Sequence, residues 1–265
     1  MVSENNEETA RPEEVIWKYN TLIQKVYADH NLRNLSGLNS EFILNNRPLL
    51  QWHHDTINKF DKSLLSNFDY SGNLKDILYF SDEILVFTAS LFLFRPFVND
   101  PIKDRQIMNG VAIYPNFKNH YSVRYNMFAN IACQSTYNYW DRIGDLIASF
   151  FKDRIDSSRV YFTTAIDTIP EVYCENENFH WLKEFRETKY KELNELRRKT
   201  VHYSSIGTSF DIQHSGNAFK EFDSIERLQK EKLGWPEYFK SHIEFSIEGM
   251  SQTLQYLDYL SQCLK

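Results

Sequence analysis

The ten residues LRRKTVHYSS, 196–205, close a long charged run and carry the side chains of this chain best suited to chemistry. Arg197 and His202 are five positions apart, about 140° around a regular helix and about 7.5 Å along it. They do not share a face, although the long guanidinium arm can swing back beside the imidazole. Arg198 and His202 are four apart and do share one. Spacing does not choose between the two arginines. Cleavage of RNA by its own 2′-hydroxyl needs a proton acceptor, a proton source for the departing 5′-oxygen, and positive charge beside the crowded phosphate. Histidine titrates nearest neutrality, and arginine offers a fixed fork of donors that matches phosphate oxygens. Such a scheme requires no metal and no cofactor. The plainer alternative is a basic helix terminus, favoured by the helix dipole, beside an ordinary histidine.

Other residues carry weaker claims. Ser204 and Ser205 flank His202, but no oxyanion pocket or orienting partner for an activated serine is evident, so they are read as hydrogen-bond donors to phosphate. Tyr203 and Trp140 suit base stacking, yet aromatic residues are so frequent here that core packing is the stronger explanation. His53, His54 and Asp55 invite a metal reading, but adjacent positions on a helix point apart and no second cluster completes a shell. Gly207 in SSIGTSF lacks the glycine run and lysine of a phosphate loop.

Positioning falls to helices. Val15, Ile16, Tyr19, Ile23, Val26 and Tyr27 recur at helical spacing after Pro12, which predicts a first helix. A short helix is expected after Pro48, ending before Ser71 and Gly72. From Leu74 the chain is apolar nearly all round, and length favours a buried central helix over a strand. Its most hydrophobic part, ILVFTASLFLF at 84–94, is by itself too short to span a bilayer. RPFVNDPIKD breaks any helix. A long helix follows over about 121–154, on which Asn130, Gln134, Asn138, Asp141 and Asp145 step by three and four into one polar stripe. Neutral amides in such a stripe suggest a partly buried polar groove, with Asn138 in contact with substrate. Loop with short helical pieces is expected over 156–179. Helical spacing resumes at about His180 and runs as one element to Gly207, with Glu195 and Lys199 one turn apart. A polar connector containing Gly216 then leads through GWPEYF into a last helix, which Gly249 weakens without ending.

These elements predict an all-α bundle of five or six long helices in one domain over 11–265, after a polar tail of ten residues. The 265 residues include 30 basic and 36 acidic side chains, a formal charge of −6, which argues against broad attraction to a polyanion while leaving room for a local basic cleft. The chain has 20 Phe and 16 Tyr, so buried tyrosine hydroxyls will need partners. Three scattered cysteines suggest reduced thiols and a cytoplasmic protein, and the acidic first twenty residues carry no signal-peptide core.

The pair Arg197 and His202, separated by RKTV near the end of a long helix, resembles the arginine, four to six residues, histidine motif of the HEPN superfamily. The segment YNYWDRIGDLI, 137–147, resembles the corresponding long core helix, particularly that of a bacterial subgroup named after a clostridial protein. The similarity fits a HEPN-like core over about 74–264 and leaves the first seventy residues aside. It implies a helical bundle that forms a homodimer, so that motifs from two subunits face one cleft. Many members are metal-independent endoribonucleases of toxin–antitoxin, phage-defence or RNA-processing systems. Others are catalytically silent modules that bind protein or nucleic acid. Carried over, His202 transfers protons and Arg197 holds the scissile phosphate, with RNA as substrate, an antitoxin protein as a further partner and no membrane association. Arg198 departs from the pattern, since active relatives commonly carry a small polar residue there; its charge either strengthens RNA contact or marks another use. Asp141 is the candidate to orient His202 or tether Arg197.

Overall fold

The computed structural model describes residues 11–33, 35, 43–44, 46–59, 68–116, 119–151, 160–202, 204–217 and 222–264, with the backbone alone at Leu44, Val201, His202 and Asn217. Ten α-helices occur among them: α1 Pro12–Asp29, α2 Leu49–Ile57, α3 Tyr70–Phe94, α4 His120–Ala148, α5 Phe162–Asp167, α6 Glu177–Glu187, α7 Lys189–His202, α8 Ile206–Asn217, α9 Phe222–Leu233 and α10 Trp235–Cys263. Eight have eleven or more residues, so the bundle is all-α as expected but has more long helices than five or six. Two short antiparallel ribbons, β1 Ile43–Leu44 with β2 Arg47–Pro48 and β3 Gln106–Met108 with β4 Val111–Ile113, add to the helical expectation. Asn109 and Gly110 take positive φ at the tip of the second, the backbone that a two-residue hairpin requires.

Local chemistry sets the helix starts. Asp69 accepts the Gly72 amide ahead of α3, Asn119 the Ser122 amide ahead of α4, and Asn176 the amides of Asn178 and Phe179 ahead of α6. Pro12 and Pro236 sit in the first turns of α1 and α10. Helix α3 packs along α4, and α10 lies against α3, α4 and α6. The stretch 70–97 is longer than the apolar run alone suggested; by length and composition it could cross a membrane, and half of its most apolar window is buried within the protein. Glu83 is accommodated within it by accepting hydrogen bonds from Tyr79 and Ser135. Buried tyrosines are satisfied as anticipated, Tyr125 by the Lys232 carbonyl at 2.7 Å and Tyr139 by the Ser246 carbonyl at 2.6 Å.

The run from His180 is two helices. Thr188 breaks it at φ −112°, ψ −91°, and its hydroxyl bonds the Glu184 carbonyl. On one straight helix Phe185 and Tyr190 would diverge by about 140°. The break turns both into one aromatic cluster, with Phe162 at 6.2 Å from Phe185 and 4.9 Å from Tyr190, and Trp140 at 4.1 Å from Phe185. Burying each such ring is worth up to ~3 kcal/mol, so this cluster fixes α7 on α4. Nor does Gly207 stop a helix. It lies in α8, and the supposed polar connector is α8 and α9, whose apolar residues Ile206, Phe210, Ile225 and Leu228 are buried.

Candidate functional site

Cys133, Tyr137 and Asp141 follow at steps of four along α4 and therefore form one line. Tyr190, Leu193 and Arg197 follow at three and four along α7, and the two helices pack together. The Arg197 guanidinium lies over the Tyr137 ring, its Cζ 4.3 Å from the centroid. The side chain is half-buried, and its Nε is shut off from water with no hydrogen-bond partner among the described residues. Burial pushes the Cys133 thiol up to about 12, opposed by the Arg197 charge. The rings of Tyr137 and Tyr190 stack at 5.9 Å and 24°, and their hydroxyls interact. Tyr190 in turn donates a long hydrogen bond, 3.4 Å, to Asp141 Oδ1. A continuous polar and aromatic path thus runs from Arg197 to Asp141.

Asp141 also accepts the Phe162 amide at 3.3 Å, holding the first turn of α5. Three residues on, Gly144 lets that turn come close: a Cβ there would lie 2.8 Å from Phe162 Cα. The DRIG segment is therefore a docking seat for α5. Burial raises the Asp141 carboxyl to about 6 against the pull of the Phe162 amide. Arg142 pairs with Asp145 at 2.7 Å and not with Asp141.

Arg197 and Asp141 therefore belong to one network, joined through two tyrosines. The sequence reading missed both rings as partners, although Tyr137 lies one turn before Asp141 and Tyr190 continues the spacing of Leu193 and Arg197. Arg198 is exposed. His202 ends α7 on the backbone; its side chain, and all of Tyr203, lie outside the described residues. The Ser204 amide donates to the Lys199 carbonyl at 3.1 Å, and Ser205 caps α8 by accepting the Thr208 amide at 3.1 Å. Asn138 accepts from Gln134 at 2.8 Å. Every member of the polar stripe is half-buried.

His53 and His54 diverge as adjacency predicts. The first is buried, which lowers its ring to about 4; the second is exposed, 3.7 Å from Asp55. Among the described residues no three His, Cys, Asp or Glu side chains gather as a metal ion would need.

A second feature begins three residues past the motif. A polar cleft of about 180 Å³ lies between the first half of α4, the start of α8 and the end of α9. Its lining includes the carboxamides of Asn99, Asn116, Asn126 and Asn130, the charged groups of Asp211 and Lys232, and the half-open apolar side chains of Val123 and Met127.

Compared with known proteins, the sequence pattern of the Cthe2314-like HEPN family matches residues 97–258, from just after α3 into α10 and including both the 137–147 segment and the Arg197–His202 pair. No curated protein and no solved structure matches the chain. The match spans more than half of the sequence and both segments that carried the resemblance, and the chain belongs to the Cthe2314-like HEPN family.

Proposed function

We propose that the protein is an endoribonuclease that cleaves single-stranded RNA by attack of the 2′-hydroxyl on the adjacent phosphate. Arg197 holds the phosphate, and His202 moves the proton. What supports this most is the Arg197 guanidinium: its face is fixed on Tyr137, so its orientation is set before substrate arrives, while the side chain remains half-open to solvent. Charge and proton transfer come from these two side chains, and the reaction as proposed needs no metal ion. Arg198, exposed on the His202 face of α7, adds attraction for the RNA backbone, with Tyr203, Ser204 and Asn138 as further contacts. Asp141 acts at a distance, positioning Arg197 through Tyr190 and Tyr137. The working form is a cytoplasmic homodimer with a motif from each subunit in one cleft, serving a toxin–antitoxin or defence system and restrained by a cognate antitoxin protein.

A second reading has its own support. The Arg197 side chain is already engaged by a ring of its own chain, and Arg198 stands where active relatives commonly have a small polar residue, both of which suit a silent module that binds RNA or protein. Purified protein incubated with single-stranded RNA in excess chelator separates the two. The nuclease leaves 2′,3′-cyclic phosphate ends, and His202→Ala lowers the rate at least about a hundredfold without lowering Tm. Undiminished cleavage by that variant removes His202 from the reaction; binding without cleavage establishes the silent module.

A further inference from the structure

The cleft beside α8 has a fixed hydrogen-bonding code. Asn130 uses its Oδ1 to accept the Ile206 amide at 3.0 Å, so its NH2 is the end left over. Asn99 likewise commits its Oδ1 to the Ser122 hydroxyl, leaving an NH2. Asn116 spends its NH2 on Asp211 at 2.8 Å, leaving a carbonyl. Asn126, packed against Gly207, has neither end of its carboxamide paired among the described residues. The four carboxamides thus present two fixed donors, one fixed acceptor and one group free to offer both.

Charge narrows the occupant. Lys232 and Asp211 carry opposite signs and every other lining group is neutral, so the cleft has no net attraction for an anion. Its volume is below the few hundred Å³ that hold a drug-sized ligand, which limits it to one small group. A neutral, flat group with alternating donors and acceptors on its edge fits this lining, with Val123 and the polarisable Met127 thioether against its face. Position agrees: Ser205, on the cleft wall, is three residues from His202, a chain reach of at most ~10 Å.

We propose that this cleft takes one unpaired nucleobase of the RNA strand whose neighbouring phosphate lies at Arg197 and His202, and so sets base preference. The inference rests on the RNA reading above, and its test is built on binding so that the two can fail separately. Short 2′-O-methylated oligonucleotides of A, C or U cannot be cut by their own 2′-hydroxyl, and their affinities are measured by fluorescence anisotropy at one salt concentration. The wild-type protein prefers one base by roughly fivefold to a hundredfold, the discrimination of a good bidentate contact. Asn126→Leu, and separately the near-isosteric Asn126→Asp, bring the three affinities close to level, with each variant checked for an unchanged helical spectrum and Tm. Equal affinities in the wild type, or a preference that survives both substitutions, overturn the proposal. Should Asn126→Leu still cleave unmodified RNA with the wild-type base preference, the nuclease stands and the cleft assignment falls. Base preference without any cleavage leaves the cleft assignment standing and removes the nuclease, and absence of RNA binding removes both.

Discussion

Replacing Asp141 by asparagine should make the protein more stable at neutral pH, and by an amount that depends on pH in one direction only. Burial holds this carboxyl at about 6 against an ordinary 3.8. The folded state therefore binds the proton more tightly than the unfolded chain does. Below about pH 3 both states are protonated and the carboxyl behaves like an amide. As pH rises from there through about 6, the unfolded chain ionises first and folding loses ground; above that the penalty is constant. At about 1.4 kcal/mol per tenfold change in proton affinity the penalty would reach ~3 kcal/mol in a dry site, and the half-buried position of Asp141 reduces it to ~1–2 kcal/mol. In Asp141→Asn the carboxamide oxygen can still accept the Phe162 amide and the Tyr190 hydroxyl, so the two hydrogen bonds survive. Urea unfolding at pH 3 and pH 7.5 checks this. The variant should match the wild type at the lower pH and exceed it by ~1–2 kcal/mol at the higher. A pH-independent gain, or a loss at pH 7.5, would mean that the carboxylate is held charged by a cation and that burial does not dominate. If the ionised Asp141 positions Arg197, the same variant loses RNA affinity or cleavage as it gains stability, a trade expected where a strained group serves function.

Gly144→Ala places its Cβ 2.8 Å from Phe162 Cα and 2.9 Å from its nitrogen, backbone atoms that cannot rotate away, so α5 must lift from α4. Overpacking of ~1–3 kcal/mol outweighs the ~1 kcal/mol gain in helix propensity, and Tm falls; an unchanged Tm refutes the docking seat. Gly249→Ala sets a methyl 2.2 Å from Trp140 Cη2, on a ring with no exposed surface and neighbours on its other sides, so destabilisation of similar size and a quenched or shifted tryptophan emission are expected, whereas native-like emission and Tm would show that the ring has room to move. Arg197→Lys keeps the charge but loses the flat stack on Tyr137. It should cost ~0.5–1 kcal/mol in thermal unfolding and impair RNA cleavage more than Arg198→Lys does; equal effects would point to diffuse electrostatics.

Much of the scaffold was legible from local pattern. Apolar spacing and proline placement located α1, α2, α3, α4 and α10, because the period and length of an apolar pattern along one element need no distant information. The breaks were another matter. Thr188 looks unexceptional in a helical run, and only the shared destination of Phe185 and Tyr190 in one aromatic cluster explains why the chain turns there. The segment after Ser205 reads as polar connector because α8 and α9 bury only a few residues each within a largely polar sequence.

The candidate site divides the same way. Residue type and spacing brought Arg197, Arg198 and His202 together and placed Asp141 on a polar stripe, since helical periodicity fixes which positions along one element are neighbours; the family resemblance then selected Arg197 and His202. Tertiary structure decided what those residues touch. Arg197 meets Tyr137 across two helices, Asp141 reaches it only through Tyr190 while capping α5, and four asparagines between positions 99 and 130 converge with the distant Asp211 and Lys232 beside α8. Contacts between elements depend on where each helix is cut and turned, and that is set by the packing of distant side chains, which no stretch of sequence carries by itself.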